Sequence, residues 1–452
     1  MNRKCGILCT GMGLGGASID TLRIADMLRK RGWSLSFAGG FFEDLLEIGT
    51  KGSVYVFPDL DRYNDKWLEL QELIYREGLS DLEKIRLEKA FEGEVRKLKA
   101  QLIDWIRTEQ LDMVIGVQLF IRVNDIATAS FLAAIEETRT PTIFRDHDLC
   151  MEQRYLAERA NLKLPEPYSY PFAVYTPTSQ FGASVLTRIS ARIRPIVIHP
   201  FVEMPQVDMK LLARGFRRSH DIPDNAFVVL QPTRLSPVKR VDRAVAFIPK
   251  LRHAFEKRGY KKDIRLVIAS QIPNPTIFPR VFRELRQLVE KLGLGGEVLC
   301  LDGAASLSWS NTAPYKTIEA AYAAADLVTY LSEYETWGLV PLEAAVYKRA
   351  CFVNRYHRLI VIPYLEAHFL QGSKDYCTYD EIYKSKGFQF FEMDSTQVDC
   401  PTEGHAQEIV EVFLDPSVLS TMLNTNYELA IQHYSKQKAT KMWHAILRHF
   451  QI

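Results

Sequence analysis

The sequence predicts an α/β protein built from two parallel-sheet domains of roughly 200 residues each. Three observations carry this. The chain opens on a strand, a glycine-rich turn, a helix and a second strand, joined by short connections. A fresh series of alternating strands and helices begins near residue 227. Between the two, around residues 200–220, the pattern breaks into a mixed, charged segment flanked by Pro205 and Pro223. Strand–helix–strand order with short links implies a parallel sheet with crossover helices.

In the first half, Lys4–Thr10 reads as a short buried strand and Gly11-Met12-Gly13-Leu14-Gly15-Gly16 as a tight turn. Residues 18–31 carry Ile19, Leu22, Ile24, Ala25 and Leu28 at helical spacing, and Gly32 ends the helix. Trp33–Ala38 is a second strand, closed by Gly39-Gly40. A long charged helix then shows an apolar face of Leu87, Phe91, Val95, Leu98, Leu102 and Ile106 at steps of three and four. Further strand candidates are Met113–Val117, Thr142–Phe144, Phe172–Tyr175 and the run Pro195–His199.

In the second half, strands are expected at Phe227–Gln231, Ile264–Ser270, Glu297–Leu301, Leu327–Leu331 and Ala350–Asn354. Helices alternate with them at Val241–His253, Val281–Leu292, Thr317–Ala325 and Leu339–Val346. Helices also close the chain at His405–Phe413, Ser417–Ser435 and Lys438–Phe450. The domain division expected from this pattern is 1–204, 205–432 and a terminal helical segment 433–452.

Composition narrows the function classes. Over 452 residues the formal charge is +2, with 25% charged and 47% apolar residues, as in an ordinary globular protein. That balance gives no field suited to duplex nucleic acid, and 11% aromatics argue against a disordered chain. No apolar run reaches the ~18 residues of a membrane-spanning helix. The seven cysteines are scattered, with no Cys-x-x-Cys, which suits free thiols in a reducing cytoplasm rather than a zinc site or a disulfide framework. The start of the chain lacks the pattern of a signal peptide, because Gly6 interrupts its apolar run.

Three groups of residues carry chemistry. Gly11-x-Gly13-x-x-Gly16, after a strand and before a helix, lets the backbone approach a diphosphate, and the helix N-terminus offers N–H donors to it. No carboxylate sits at the tip of the second strand to bind a ribose, so a diphosphate-binding or acceptor-facing loop fits better than a nicotinamide dinucleotide site. A turn without a ligand would have the same sequence. Arg234 and Lys239 follow the strand Phe227–Gln231, at the end where ligands bind in open α/β sheets, and two cations there suit a diphosphate leaving group, although Lys and Arg are also common on a merely solvated loop. Glu335 and Glu343 lie on the segment Ser332–Ala345 after a later strand. Glu343 is embedded among Leu339, Val340, Leu342, Ala344 and Ala345, where burying even a neutral polar group costs roughly 2–7 kcal/mol without a hydrogen-bonding partner. Ribose hydroxyls would satisfy it; a carboxylate complementing the helix dipole is the plainer alternative.

Glu335-x7-Glu343, in a Glu-x-x-Gly-Leu-x-x-Leu-Glu-Ala frame, resembles the signature of the retaining GT-B glycosyltransferases of family GT4, the glycosyl transferases group 1. The Arg-x4-Lys pair at 234 and 239, the glycine turn at 13–16, Ala324-Ala325-Asp326 before the signature and Tyr434-Ser435 in the closing helices match in order and spacing. The resemblance spans nearly the whole chain. It implies two Rossmann-like domains facing across a cleft, with the last helix packed back on the N-terminal domain. It also implies transfer of a hexosyl group from a nucleoside-diphosphate sugar, UDP- or GDP-linked, to an acceptor hydroxyl, with no metal and no further cofactor.

Carried over, Arg234 and Lys239 would hold the donor diphosphate and Glu335 the donor-sugar hydroxyls. Thr336, Trp337, Gly338 and Leu339 would contact sugar and phosphate through their backbone, Glu343 the ribose, and Gly15 and Gly16 the diphosphate or acceptor. His147 lies in Phe144-Arg145-Asp146-His147-Asp148 and resembles the histidine of a GT4 subgroup with a His-Asp-x-x-Trp-Glu-Arg stretch, departing from it at Met151 and Gln153. The resemblance gives it a catalytic place, in contact with the donor sugar or ordering the nearby backbone; a satisfied structural histidine is the plainer alternative. Arg145 and Arg154 are the candidates for an acidic acceptor, a small molecule, a glycan or a lipid-linked group, with a simply solvated arginine as the alternative for either. Asp59-Leu60-Asp61 and Asp146-His147-Asp148 are read as coincidental Asp-x-Asp strings. The rival functions are a GT-B phosphorylase or sugar-phosphate-forming synthase, a nucleotide-sugar-binding module without catalysis, and more remotely a nicotinamide-dependent oxidoreductase.

Overall fold

Two six-stranded parallel sheets, each wound in the same order, organise the chain. The computed structural model describes residues 3–13, 16–42, 48–121, 123–147, 160–205, 208–269, 279–301, 317–333, 335, 337–355 and 378–450. The first sheet contains β1 (Lys4–Cys9), β2 (Ser34–Gly39), β3 (Ser53–Val56), β4 (Met113–Val117), β5 (Thr142–Arg145) and β6 (Ala173–Tyr175) in the order β3-β2-β1-β4-β5-β6. The second contains β7 (Phe227–Gln231), β8 (Ile264–Ile268), β9 (Val298–Cys300), β10 (Leu327–Tyr330), β11 (Ala350–Asn354) and β12 (Phe391–Met393) in the order β12-β11-β10-β7-β8-β9. Numbered from its own first strand, each sheet runs 3-2-1-4-5-6, the doubly wound order.

The strands form where β-branched and apolar residues run without interruption. β4, β7 and β11 are buried at every position, as parallel strands covered by helices on both faces must be. Alternation along β7 sends Val228 and Leu230 into one apolar cluster and Phe227 and Val229 into another, so the second sheet has a core on each face. In the first half, Trp67, Leu98, Trp105, Phe131 and Phe144 share one cluster.

The chain divides into two compact units: Met1–Pro200 with Ala439–Ile452, and Phe201–Glu366 with Leu370–Lys438. The last passage between them falls in the first turn of the last helix, Lys436–His449. Where the chain enters and leaves the second unit, Val202 and Ser435 form a parallel bridge, with Val202 N–H donating to Tyr434 O at 3.0 Å.

Two sequence expectations change. Residues 195–199 are not a strand. Ile196 N–H and Ile198 N–H donate only to Tyr175 O and Pro177 O, at 2.9 and 3.0 Å, and Pro195 has no N–H to extend the ladder. The charged segment between the two strand series contains a helix, Met209–Ser219, capped by the Asp208 carboxylate on Lys210 N and Leu211 N, with Phe216 as its one buried residue. Among the described residues no helix is long and apolar enough to cross a membrane.

Candidate functional site

In a sheet of this order, ligands bind beyond the C-terminal ends of the two strands where the winding reverses. In the second unit these strands are β7 and β10. β7 ends at Gln231 and leads into the loop that bears Arg234 and Lys239; β10 ends at Tyr330 and leads to Glu335. The two strand ends are joined by a buried polar chain: Thr329 Oγ1 donates to Gln231 Oε1 at 2.7 Å, and Gln231 Nε2 donates to Thr233 Oγ1 at 2.7 Å. Glu333 N–H donates to Val238 O at 2.8 Å, clasping one loop to the other.

That clasp brings together two of the residues singled out by sequence. Lys239 Nζ lies 2.5 Å from Glu335 Oε1, and their side chains are only 17% and 9% exposed. Arg234 is exposed. Gly338 has φ +84°, a left-handed conformation that a side chain would strain. Its carbonyl accepts from the Tyr383 hydroxyl. Trp337 is buried beside it, edge-on to Tyr434 with ring centroids 5.4 Å apart, and Leu339 stands immediately before the helix Val340–Val346. Glu343, in that helix, accepts from the Tyr322 hydroxyl at Oε2, 2.9 Å away. Burial first, then the adjacent Glu343 charge, push the Tyr322 phenol well above its ordinary value, so it stays a donor. Thr336 lies outside the described residues.

Sequence reasoning missed the group that braces this site. Arg243 is fully buried. Its Nη1 donates to Leu331 O at 2.9 Å, its Nε to Asp399 O at 2.6 Å, and its Nη2 to Glu333 Oε2 and Asp399 Oδ1 at 3.2 and 3.1 Å. Arg240, in a left-handed conformation with φ +44°, adds Glu333 Oε2 at 2.6 Å, both Asp399 oxygens at 3.0 and 3.1 Å, and Asp242. Hydrogen bonds from Arg240 lower the Asp399 pKa to about 2, burial opposing them. Three loops, after β7, β10 and β12, are thereby tied at one point. The available signal was two arginines three apart directly after Lys239, with Glu333 two residues before Glu335. Asp326 serves at the opposite end of β10, where its Oδ2 accepts from Val228 N–H at 2.7 Å.

In the first unit, the helix Gly16–Arg29 begins at the last glycine of the turn and presents Asp20 one turn on. At Gly11 a Cβ would lie 2.1 Å from the Phe41 ring, so any larger residue there would require that ring to move. Asp20 Oδ2 faces Arg145 Nε and Nη2, each at 2.8 Å, and His147 Nε2 at 3.1 Å. Arg145 Nη1 donates to Thr176 O and Ile198 O at 3.0 and 2.6 Å, and its side chain is 0% exposed. The Arg145 guanidinium is thus enclosed, with Nε and Nη1 bonded to the protein's own groups. His147 is buried, its N–H donating to Gln118 Oε1 at 2.8 Å. Asp59, in the first Asp-x-Asp string, pairs with Lys97 at 2.6 Å. Among the described residues no group of three or more His, Cys, Asp or Glu is placed to hold a metal ion. Gly15, Asp148 and Arg154 lie outside the described residues.

Residues 214–359, which carry Arg234, Lys239, Glu335 and Glu343, match the family model of the glycosyl transferases group 1. No curated protein sequence matches the chain. A glycosyltransferase from Rickettsia africae superposes with a TM-score of 0.64 at 13% identity, over 100% of this chain and 99% of that one. HepE from Anabaena, solved with UDP and glucose, gives 0.58 at 17%, over 99% and 100%. Sucrose-phosphate synthase from Thermosynechococcus elongatus gives 0.60 at 13%, over 99% and 98%. The fold is GT-B. Both Rossmann-like units of this GT-B chain carry the strand order above, and the paired Lys239 and Glu335 stand at the reversal point of the second.

Proposed function

We propose that the protein is a retaining glycosyltransferase that moves a hexosyl group from a nucleoside-diphosphate sugar to an acceptor hydroxyl. The observation that carries this reading is the Lys239–Glu335 pair at the mouth of β7 and β10, with Arg234 on the same loop as Lys239. A cation for a diphosphate and a carboxylate for sugar hydroxyls are thus adjacent, and Glu343 is held by Tyr322 on the helix that follows. The group 1 match covers all four residues, and HepE, of the same fold, is solved with UDP and glucose.

In this reading the acceptor oxygen bonds to the anomeric carbon as the bond from that carbon to the phosphate oxygen breaks. The departing nucleoside diphosphate keeps the electron pair and takes the acceptor's proton. Arg234 and Lys239 stabilise the charge that builds on it, so the reaction needs no metal. Attack from the leaving-group face retains the anomeric configuration. The donor is UDP- or GDP-linked, Glu343 takes the ribose, and His147 and Gly16 belong to the acceptor-side half. Buried free thiols at Cys5, Cys9 and Cys351 support a reducing, cytoplasmic setting.

A thermal-shift panel of UDP, GDP, ADP and their sugars tests the reading. One diphosphate series should stabilise the protein by ~2.7 kcal/mol at ~100 times its Kd. The anomeric proton of the transfer product, read by NMR, should match the donor's configuration. A panel without any shift overturns the assignment, and an inverted product overturns retention.

A further inference from the structure

The two groups assigned to the donor are bonded to each other. Glu335 is the ion-pair partner of Lys239 among the described residues, and the contact is 2.5 Å with both side chains largely covered. Arg240 and Arg243, the next cations along the chain, are taken up by Glu333, Asp242 and Asp399, so neither is free to replace Lys239 at Glu335. Arg234 by contrast is exposed and makes no ion pair among the described residues.

We propose that the Lys239–Glu335 pair is a latch through which the site discriminates between a sugar-bearing diphosphate and a bare one. The proposal rests on the donor-site reading above. Arg234 can receive a diphosphate at once, but Lys239 can do so only by leaving Glu335. A bare diphosphate then leaves a covered carboxylate without its cation, and removing one partner of a covered pair is costly. A donor sugar repairs this, because its hydroxyls donate to the freed Glu335 oxygens. The same contact acts after transfer. Once the sugar has gone, Glu335 competes again for Lys239 and drives the product diphosphate out, a step that often limits turnover. Glu335 is thus both a sugar ligand and the group that keeps the product from occupying the site.

The test is isothermal titration of UDP, GDP, ADP and inorganic pyrophosphate into the wild type, Glu335→Gln, Lys239→Met and the double variant, each checked for fold by circular dichroism. Glutamine keeps the shape and removes the charge. The expected result is tighter binding of the bare diphosphate to Glu335→Gln, by about tenfold, or 1.4 kcal/mol. The gain should vanish in the double variant, and the preference for the sugar-bearing form should shrink. Lys239→Met alone should weaken binding of every diphosphate. If Glu335→Gln folds and binds the bare diphosphate no better than wild type, the latch is overturned while the donor site stands. If no diphosphate binds the wild type, the donor-site reading itself fails.

Discussion

Arg145 and Asp20, 125 residues apart in the chain, form an ion pair in which Nε and Nη2 both lie 2.8 Å from Oδ2, with side chains 0% and 1% exposed. The pair fastens the helix that follows the glycine turn to the end of β5, and His147 Nε2 approaches the same oxygen. The pair is a brace within the first unit.

Breaking that brace should cost more than a surface charge would. Asp20→Ala leaves Arg145 buried without its carboxylate, and the expected loss is ~3–5 kcal/mol from the first unit. Burial alone pushes the Asp20 carboxyl up, but Arg145 and His147 outweigh it and hold the group well below the usual carboxylate range. A depressed native pKa means the unfolded state binds the proton more readily. The contribution is therefore complete above the unfolded value of ~3.9 and declines as pH falls below it. Calorimetry from pH 7 to pH 3 checks both points: Asp20→Asn should lower the unfolding temperature at pH 7 and flatten its fall in acid. An unchanged profile would refute the brace.

Lys239→Ala should reduce kcat by on the order of 10²-fold or more, because a charge-stabilising donor is lost from the leaving group. Turnover measured at saturating donor decides this, and wild-type turnover in the variant would remove Lys239 from the reaction.

Tyr322→Phe should separate binding from chemistry. The variant deletes the 2.9 Å hydrogen bond to Glu343 and leaves the ring packing in place. A hydrogen bond to a charged group contributes ~1.5–3 kcal/mol, so the donor KM should rise about tenfold while kcat stays near its wild-type value. A fall in kcat at unchanged KM would assign Tyr322 a different task.

Arg243→Met should loosen the loops that carry the site. The guanidinium is buried, but Asp399 is 74% exposed and Arg240 still holds Glu333, so the loss is about 2 kcal/mol rather than that of an isolated buried pair. The urea midpoint should drop and donor KM should rise with it. A lower midpoint at unaltered KM would mean that the tie supports the unit but not the site.

Some of this was open to reading from the sequence and some was not, for identifiable reasons. β4, β7 and β11 have the expected bounds because each is an apolar run enclosed on both faces. The helix Asp125–Thr138 escaped notice because it is buried over most of its surface, so no polar stripe marks a helical period. β3 was missed because it is four residues long, at the sheet edge and half exposed. Arg234, Lys239, Glu335 and Glu343 stood out because their spacing within two short segments carries the signal. The ties of Arg243 to Asp399, 156 residues away, and of Arg145 to Asp20 leave no local pattern, since only the folded sheets bring the partners together.

The return of the chain's end to the first unit has a consequence for synthesis. The first unit takes in Ala439–Ile452, including the buried Trp443, Ile446 and Leu447, and Arg31 reaches His444 at 3.3 Å. A ribosome that has finished residue 200 has therefore not finished the first unit. Its last helix emerges roughly 240 residues later, a wait of roughly 10–50 s at ~5–20 residues per second. The second unit, which ends at Lys438, is complete before the first can close. A nascent chain stalled before residue 439 would present a helix-sized apolar gap to chaperones, and a gene cut at residue 200 would yield a unit lacking part of its own core.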